Sequence, residues 1–295
     1  LKSRDIKSLQ KLLEDTIGNI LDEFFEDNVH LSELLGKVRR ERFKTEMKRL
    51  NSNQKKIVET IFDKHLLVNA GPGSGKTHVL MMRCAHLIHK QKLDPSEILV
   101  LAFNRAVVFE IKDRIAKLFR DIGYGSYADK LKVFTFHSFA LQHVDSKNDF
   151  EENAINDALH SLATKMNDEK FASNVSKKYK AILIDEFQDM NEDFFTVIKQ
   201  LIRYTGGSEH SRGGGMVIGD DDQDILMWNR IQWSIQRKQN NFPLHAVRYF
   251  EQFEKDFKPD IIELNLNYRS SRKIIQRANK MIEKVEGQLK INRMK

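Results

Sequence analysis

Cysteine occurs once, tryptophan twice and proline four times in these 295 residues. A lone thiol, Cys84, excludes an internal disulfide, and its place in an apolar helical pattern makes it a core residue and not a redox centre. Long apolar runs are also missing. Stretches such as Ile98–Phe103 are far too short to cross a bilayer, and the first residues carry no apolar signal core. These absences predict a soluble, cytoplasmic chain without membrane contact. Neither sign of charge dominates: 49 Lys and Arg stand against 42 Asp and Glu, a formal net charge of +7 that suits a polyanionic partner without requiring one. Apolar residues make up 40%, enough for a sizeable buried core. The chain opens at Leu1 and not Met, as a processed form or a part of a longer protein would.

Residues 1–50 are charged, free of proline, and carry Leu9, Leu12, Leu13, Ile17, Ile20, Leu21, Phe24 and Phe25 at helical spacing, which predicts a helical N-terminal extension. From His65 onward short apolar runs alternate with helical patterns: Leu66–Asn69, Ile98–Phe103, Lys132–Phe136, Ala181–Ile184, Met216–Ile218 and Ile261–Leu264. That alternation predicts an α/β fold with a mainly parallel sheet flanked by helices. Ligands in such folds collect at the carboxyl ends of the strands. Gly71–Thr77, Asn104–Arg105, His137–Ser138, Asp185–Asp189 and Gly219–Gln223 each begin at or just after a predicted strand end. Glycine-rich Thr205–Gly215 reads as a flexible loop.

The segment Ala70-Gly71-Pro72-Gly73-Ser74-Gly75-Lys76-Thr77 follows a strand and opens a helical pattern, the setting a phosphate-binding loop needs. Glycines let backbone N–H groups point at phosphate oxygens, Lys76 reaches the β- and γ-phosphates, and the Thr77 hydroxyl holds Mg²⁺. The neighbouring His78 joins Gly71–Thr77 as a candidate nucleotide contact. Ala70 stands where the strict pattern has glycine. Further on, Ile182-Leu183-Ile184 ends in Asp185 and Glu186, a carboxylate pair closing a buried strand. Asp185 suits Mg²⁺ binding through water, and Glu186 suits orienting and deprotonating an attacking water. The predicted cofactors are therefore ATP and Mg²⁺. His78, His86 and His89 lack cysteine or carboxylate companions at ligand spacing, and read as packed or solvated and not as a metal site.

Taken in order, the motifs resemble the UvrD/Rep type of superfamily 1 DNA helicases, whose motor is a RecA-like phosphate-loop domain. The resemblance rests on Leu50–Gln54, the phosphate loop, Leu99–Ala106, Thr135–Phe139, Asp185–Asp189, Gly219–Gln223 with Ile225 and Trp228, and Asn267–Ser270. It implies that Gln54 bonds adenine, Gln223 senses the γ-phosphate, Tyr268 stacks on the base and Arg269 acts as an arginine finger. It also implies single-stranded DNA contacts at Phe103, Asn104, Arg105, His137 and Trp228; stacking on aromatic faces suits a track read without sequence preference. Read alone, Gln223 is equally a turn residue, Tyr268 a core aromatic, Arg269 a solvated charge, and Phe103 and His137 core or capping groups. Leu226 and Asn229 depart from the tyrosine and arginine usual in this family.

The resemblance implies three parts: the extension at 1–50, a motor domain at 51–258, and the start of a truncated second motor domain at 259–295. Within the motor domain, 139–180 reads as a reduced helical insertion closed by Lys177, Lys178 and Lys180. Residues 229–258, with Trp233, Phe242, Tyr249 and Phe253 among charges, read as an added helical element. The missing remainder of the second domain, or a separate protein partner, is expected to complete the motor. Two other readings stay open: the motor portion of a helicase–nuclease, and an ATP-dependent switch or adaptor that does not translocate. RNA is a less favoured track than DNA.

Overall fold

The computed structural model describes residues 29–144, 152–207, 213–220 and 249–282. The N-terminal helix α1 (Val29–Lys48) and α2 (Ser52–Glu59) precede β1 (Leu66–Ala70) and α3 (Lys76–His89). β2 (Ile98–Ala102), α4 (Arg105–Asp121), β3 (Lys132–Thr135) and α5 (Phe136–Leu141) follow. Next come α6 (Glu152–Lys165), α7 (Glu169–Ser176), β4 (Ala181–Ile184), α8 (Glu192–Arg203) and β5 (Gly214–Gly219). α9 (Tyr249–Phe257), β6 (Asp260–Leu264) and α10 (Arg272–Ile282) complete the described chain.

The strands form one six-stranded sheet in the order β3-β2-β4-β5-β1-β6, and every neighbouring pair is parallel. The inner strands are buried on both faces, so their sequences are nearly continuous apolar runs, whereas the edge strands β3 and β6 are only partly covered and carry Lys132, Asp260 and Glu263. Alternation survives as a choice of face. Leu66, Val68, Val100, Leu183 and Ile218 point into one core with α1 to α4, whereas Leu67, Leu99, Leu101, Ile182 and Val217 point into a second core with α5 to α9. Residues 139–180 are largely helical and contribute to that second core, through Leu159, Leu162, Ala172 and Val175.

Two expectations are corrected. β6 pairs with β1 from Leu66↔Asp260 to Ala70↔Leu264, so the sheet that carries the phosphate-loop strand takes in a strand beyond the boundary expected at 259. The strand's run of Ile261, Ile262 and Leu264 shows that it is a strand, but its pairing partner is a long-range contact that periodicity does not carry. Secondly, Gly214 and Gly215 are not loop but the start of β5. A Cβ on Gly214 would lie 2.1 Å from the Phe62 carbonyl oxygen, and one on Gly215 would lie 2.3 Å from Cδ1 of Ile202. Packing, not flexibility, demands glycine there. Residues 208–212 of the expected loop lie outside the described residues, as do 1–28 of the N-terminal segment and 229–248 of the expected added element. The helix α9 at the end of that element buries Phe253 completely.

The described part of the N-terminal segment packs on α3 and on the turn that follows α4. Phe43 of α1 is buried with its ring 4.7 Å from His89 and 6.1 Å from His86, and the Arg39 guanidinium lies 4.7 Å above the Tyr124 ring. Burial, with nearby cations, pulls His86 and His89 down to about 4, so both are neutral packing groups at ordinary pH. Fully buried Arg83 turns its charge on the carboxyl end of α2: Nη1 donates to the carbonyls of Ile57 at 2.7 Å and Thr60 at 2.8 Å. Those carbonyls carry the negative end of the helix dipole, which offsets part of the cost of burying a cation. Burial lowers the Arg83 pKa only to about 10, so the charge is retained at neutral pH. Cys84 beside it is inert, its thiol pushed up to about 12 by burial.

Candidate functional site

Because all the strands run the same way, their carboxyl ends share one edge, and the loops there lie close together. After β1 the chain turns through Gly73 at φ 71° and Gly75 at φ 86°, left-handed conformations that cost a side-chain-bearing residue about 1–2 kcal/mol. Ser74 closes the turn on itself, its Oγ donating to the Gly71 carbonyl at 2.7 Å. The first N–H groups of α3, from Lys76 on, have no acceptor within their own helix and form the positive end of its dipole. Gly71, Pro72, Gly73, Ser74, Gly75, Lys76 and Thr77 thus make a backbone cradle at a helix start. Half-buried His78 follows in the same turn; burial chiefly holds its pKa below the usual histidine range, with Arg114 and Arg49 adding to the effect and Glu46 opposing it.

β5 lies between β1 and β4, so the acidic pair reaches the cradle across the end of β5. Lys76 Nζ stands 3.5 Å from Glu186 Oε2. Glu186 adopts φ 51°, ψ 52°, a strained conformation for a residue with a side chain. Gln188, which sequence reading missed, fixes this turn: its Nε2 donates to Glu186 Oε2 at 2.7 Å, and its Oε1 accepts from the Asp220 N–H at 3.1 Å. Gly219 makes room, since a Cβ there would lie 2.6 Å from Gln188 Oε1. Asp185 is only 1% exposed. Burial, then the Glu186 charge, pushes its carboxyl up to about 7, against the opposing pull of the Glu186 N–H and Lys76. A buried carboxylate in excess of nearby positive charge is a hard-oxygen donor suited to a divalent cation, which would offset that excess. The residues therefore fit Mg²⁺.

A third element closes over the cradle. After β6, the Tyr268 N–H donates to the Gly73 carbonyl at 2.8 Å, and Asn267 Nδ2 donates to the Pro72 carbonyl at 2.8 Å. The Tyr268 ring is 61% exposed, and its hydroxyl accepts from Asn51 Nδ2 at 2.7 Å. Arg269 is exposed beside it. Gln54 is buried: it completes a capping box with Asn51 and donates from Nε2 to the Ser74 carbonyl at 3.2 Å. Its side chain therefore braces the loop as well as standing where the resemblance puts an adenine contact. The signature of a capping box, Asn51 followed at the third place by Gln54, is readable in sequence.

The expected DNA contacts at the ends of β2 and β3 converge on one ring. Phe103 and His137 each stand 5.6 Å from Phe194 of α8, His137 nearly perpendicular to it. Both are half-buried, leaving part of each ring open to the edge. Asn104 is a helix cap, its Oδ1 accepting from the Val107 N–H at 2.9 Å, and Arg105 is exposed in the first turn of α4. Asn104→Ala is expected to lower stability by about 1 kcal/mol in denaturant unfolding, because an unsatisfied helix N–H results. Gln223 and Trp228 lie outside the described residues. Among the described residues no group of three or more His, Cys, Asp or Glu could hold a metal ion, and no helix is long and apolar enough to cross a membrane.

A parallel sheet whose first strand runs into a glycine-rich cradle, with an acidic pair presented from two strands away, defines a RecA-like phosphate-loop domain. Within that class, the pattern of the UvrD/REP helicase N-terminal domain matches residues 50–153 and 145–243, and the chain belongs to this family. It is 24% identical over 319 residues to the ATP-dependent DNA helicase PcrA of Staphylococcus aureus, a match covering 79% of this chain and 40% of that protein. It is also 24% identical over 310 residues to a probable DNA helicase II homolog of Mycoplasma genitalium, covering 74% of this chain and 40% of that one. The chain thus spans about two fifths of the length of these curated relatives. Among solved structures it is similar to a Bacteroides Pif1 bound to ssDNA, with a TM-score of 0.42 and 18% identity over 79% of this chain and 46% of that one.

Proposed function

We propose that this chain is the ATP-binding wall of a DNA helicase motor, which hydrolyses ATP and couples the reaction to movement along single-stranded DNA. One observation carries the reading: Lys76 and Glu186, from opposite sides of β5, meet at 3.5 Å beside the buried Asp185. The backbone of Gly71–Gly75 and the start of α3 bind phosphate oxygens, and Lys76 supplies the point charge at the β- and γ-phosphates. Thr77 and Asp185 hold Mg²⁺, which when bound neutralises phosphate charge. Glu186, held by Gln188, orients a water and accepts its proton. Gln54 and Tyr268 frame the adenine, with Arg269 and Gln223 at the γ-phosphate.

The edge beside that cleft is the track. Half-buried Phe103 and His137 offer ring faces for bases, Arg105 supplies charge, Asn104 holds the turn, and Trp228 joins them in this reading. In this reading residues 29–50 buttress the motor, the sheet with β6 forms the motor domain, and the chain after Asn267 leads to a second motor domain. Two such domains closing on ATP and reopening after hydrolysis would produce stepping.

The test is ATP turnover by the purified chain with and without a single-stranded DNA oligonucleotide, alongside Lys76→Ala. Turnover by this chain alone is expected to be slow, since two domains must close on ATP; single-stranded DNA is expected to raise it more than duplex DNA or RNA, and Lys76→Ala to lower it at least tenfold. A rate indifferent to both DNA and Lys76→Ala removes the proposal.

A further inference from the structure

Asn267 makes more contacts than a turn residue needs. Its Oδ1 accepts from the N–H groups of Arg269 and Ser270, both at 2.8 Å, which fixes the turn into α10. Its Nδ2 faces the other way and donates to the Pro72 carbonyl at 2.8 Å, while the adjoining Tyr268 N–H takes the Gly73 carbonyl. The two segments lie far apart in sequence and are tied side by side. Their approach is close enough to dictate a residue on the loop itself. A Cβ on Gly73 would stand 2.7 Å from Arg269 Cβ and 2.9 Å from Asn267 Oδ1. Glycine at 73 is thus required for this contact as well as for its φ of 71°.

We propose that Asn267 is a positioning residue: it ties the Tyr268–Arg269 turn to the phosphate loop, so that these two side chains are aimed at a nucleotide held by that loop. The inference rests on the proposed nucleotide site. Only a short planar amide meets both demands. Aspartate is isosteric and accepts the two turn N–H groups, but it has no donor for Pro72 and places negative charge against a carbonyl oxygen. Serine is too short to reach both sides. The tie also makes the coupling reciprocal: whatever shifts Pro72 and Gly73 shifts Tyr268 and Arg269, and strain on the turn reaches the loop.

The opposing possibility is that Asn267 only caps the turn, a role aspartate fills equally well. Site-resolved amide exchange and equilibrium binding of a fluorescent ATP analogue, on the whole chain, separate the two. Asn267→Asp is expected to keep slow exchange at Arg269 and Ser270, to exchange faster at Tyr268, and to bind the analogue about tenfold more weakly, the factor a single well-made hydrogen bond commands. Asn267→Ala is expected to lose protection at all three amides. Circular dichroism melting identifies any variant that has unfolded, and the isosteric Asn267→Asp carries the comparison if Asn267→Ala does. Wild-type exchange at Tyr268 and wild-type affinity in Asn267→Asp would overturn the tie while leaving the nucleotide site standing. Wild-type affinity in Lys76→Ala would instead remove the nucleotide site, and the Asn267 proposal with it.

Discussion

Glu186→Gln is expected to slow ATP hydrolysis by roughly 10²–10⁴-fold while ATP affinity is kept or improved. Glutamine has the same shape and still accepts the bond that Gln188 Nε2 makes at 2.7 Å, so the strained turn at φ 51° is preserved. What it lacks is basicity, and with it the ability to take a proton from water. It also lacks the charge that stands 3.5 Å from Lys76, so the lysine is left free for phosphate. Single-turnover hydrolysis with protein in excess, set beside equilibrium binding, gives both numbers. An unchanged rate would remove Glu186 as the base, and equal losses of rate and affinity would mean that the turn had collapsed.

Asp185→Asn is expected to abolish Mg²⁺-dependent hydrolysis and yet raise the melting temperature of the metal-free protein above neutral pH. The wild-type carboxyl titrates at about 7 in the folded chain against an ordinary 3.8, so protonation favours the folded state. Stability is therefore highest below about 4 and is lost as pH rises through about 7. At about 1.4 kcal/mol per pH unit across that window, ionised Asp185 costs at most about 4 kcal/mol. The amide keeps the acceptor for the Glu186 N–H, at 3.0 Å, and adds an N–H₂ group whose desolvation offsets about 1–3 kcal/mol. A net gain of about 1–3 kcal/mol corresponds to roughly 3–10 °C for a domain of this size. The gain should grow up to about pH 7, shrink as pH falls, and turn into a loss of about 1–3 kcal/mol near pH 4, where Asp185 is protonated and only the amide's desolvation cost remains. A melting difference that does not change with pH, or one of opposite sign at pH 8, would contradict this account of Asp185. Stability sacrificed at a site of this kind fits a group placed for chemistry and not for folding.

The strands are readable because burial on both faces removes polar residues from β2 and β4, and from β1 apart from Asn69, leaving runs no surface element would carry. β5 exceeds the expected Met216–Ile218 by three glycines, Gly214, Gly215 and Gly219, since glycine has low strand propensity and the reason for the first two, the Phe62 carbonyl and the Ile202 side chain, lies elsewhere in the chain. Phe103 and His137 illustrate the reverse difficulty. Aromatic residues at strand ends suggest a stacking surface, but their shared contact with Phe194 arises only when α8 is laid across the edge. Asn104 caps α4 through its side chain, a local role that an asparagine directly before a helical pattern already carries in sequence.

Local chemistry by itself determined that this protein has a glycine-rich loop at a helix start and a carboxylate pair at a strand end, since phosphate cradles and buried acids leave their requirements in a few adjacent residues. Only the tertiary structure decided which strand separates them, that Lys76 and Glu186 meet across it, that β6 joins the same sheet, and that Asn267 straps a distant turn to the loop. Each of these is a pairing between segments far apart in sequence. It is selected by how the sheet's order and helix packing bury both faces together, which no single segment encodes.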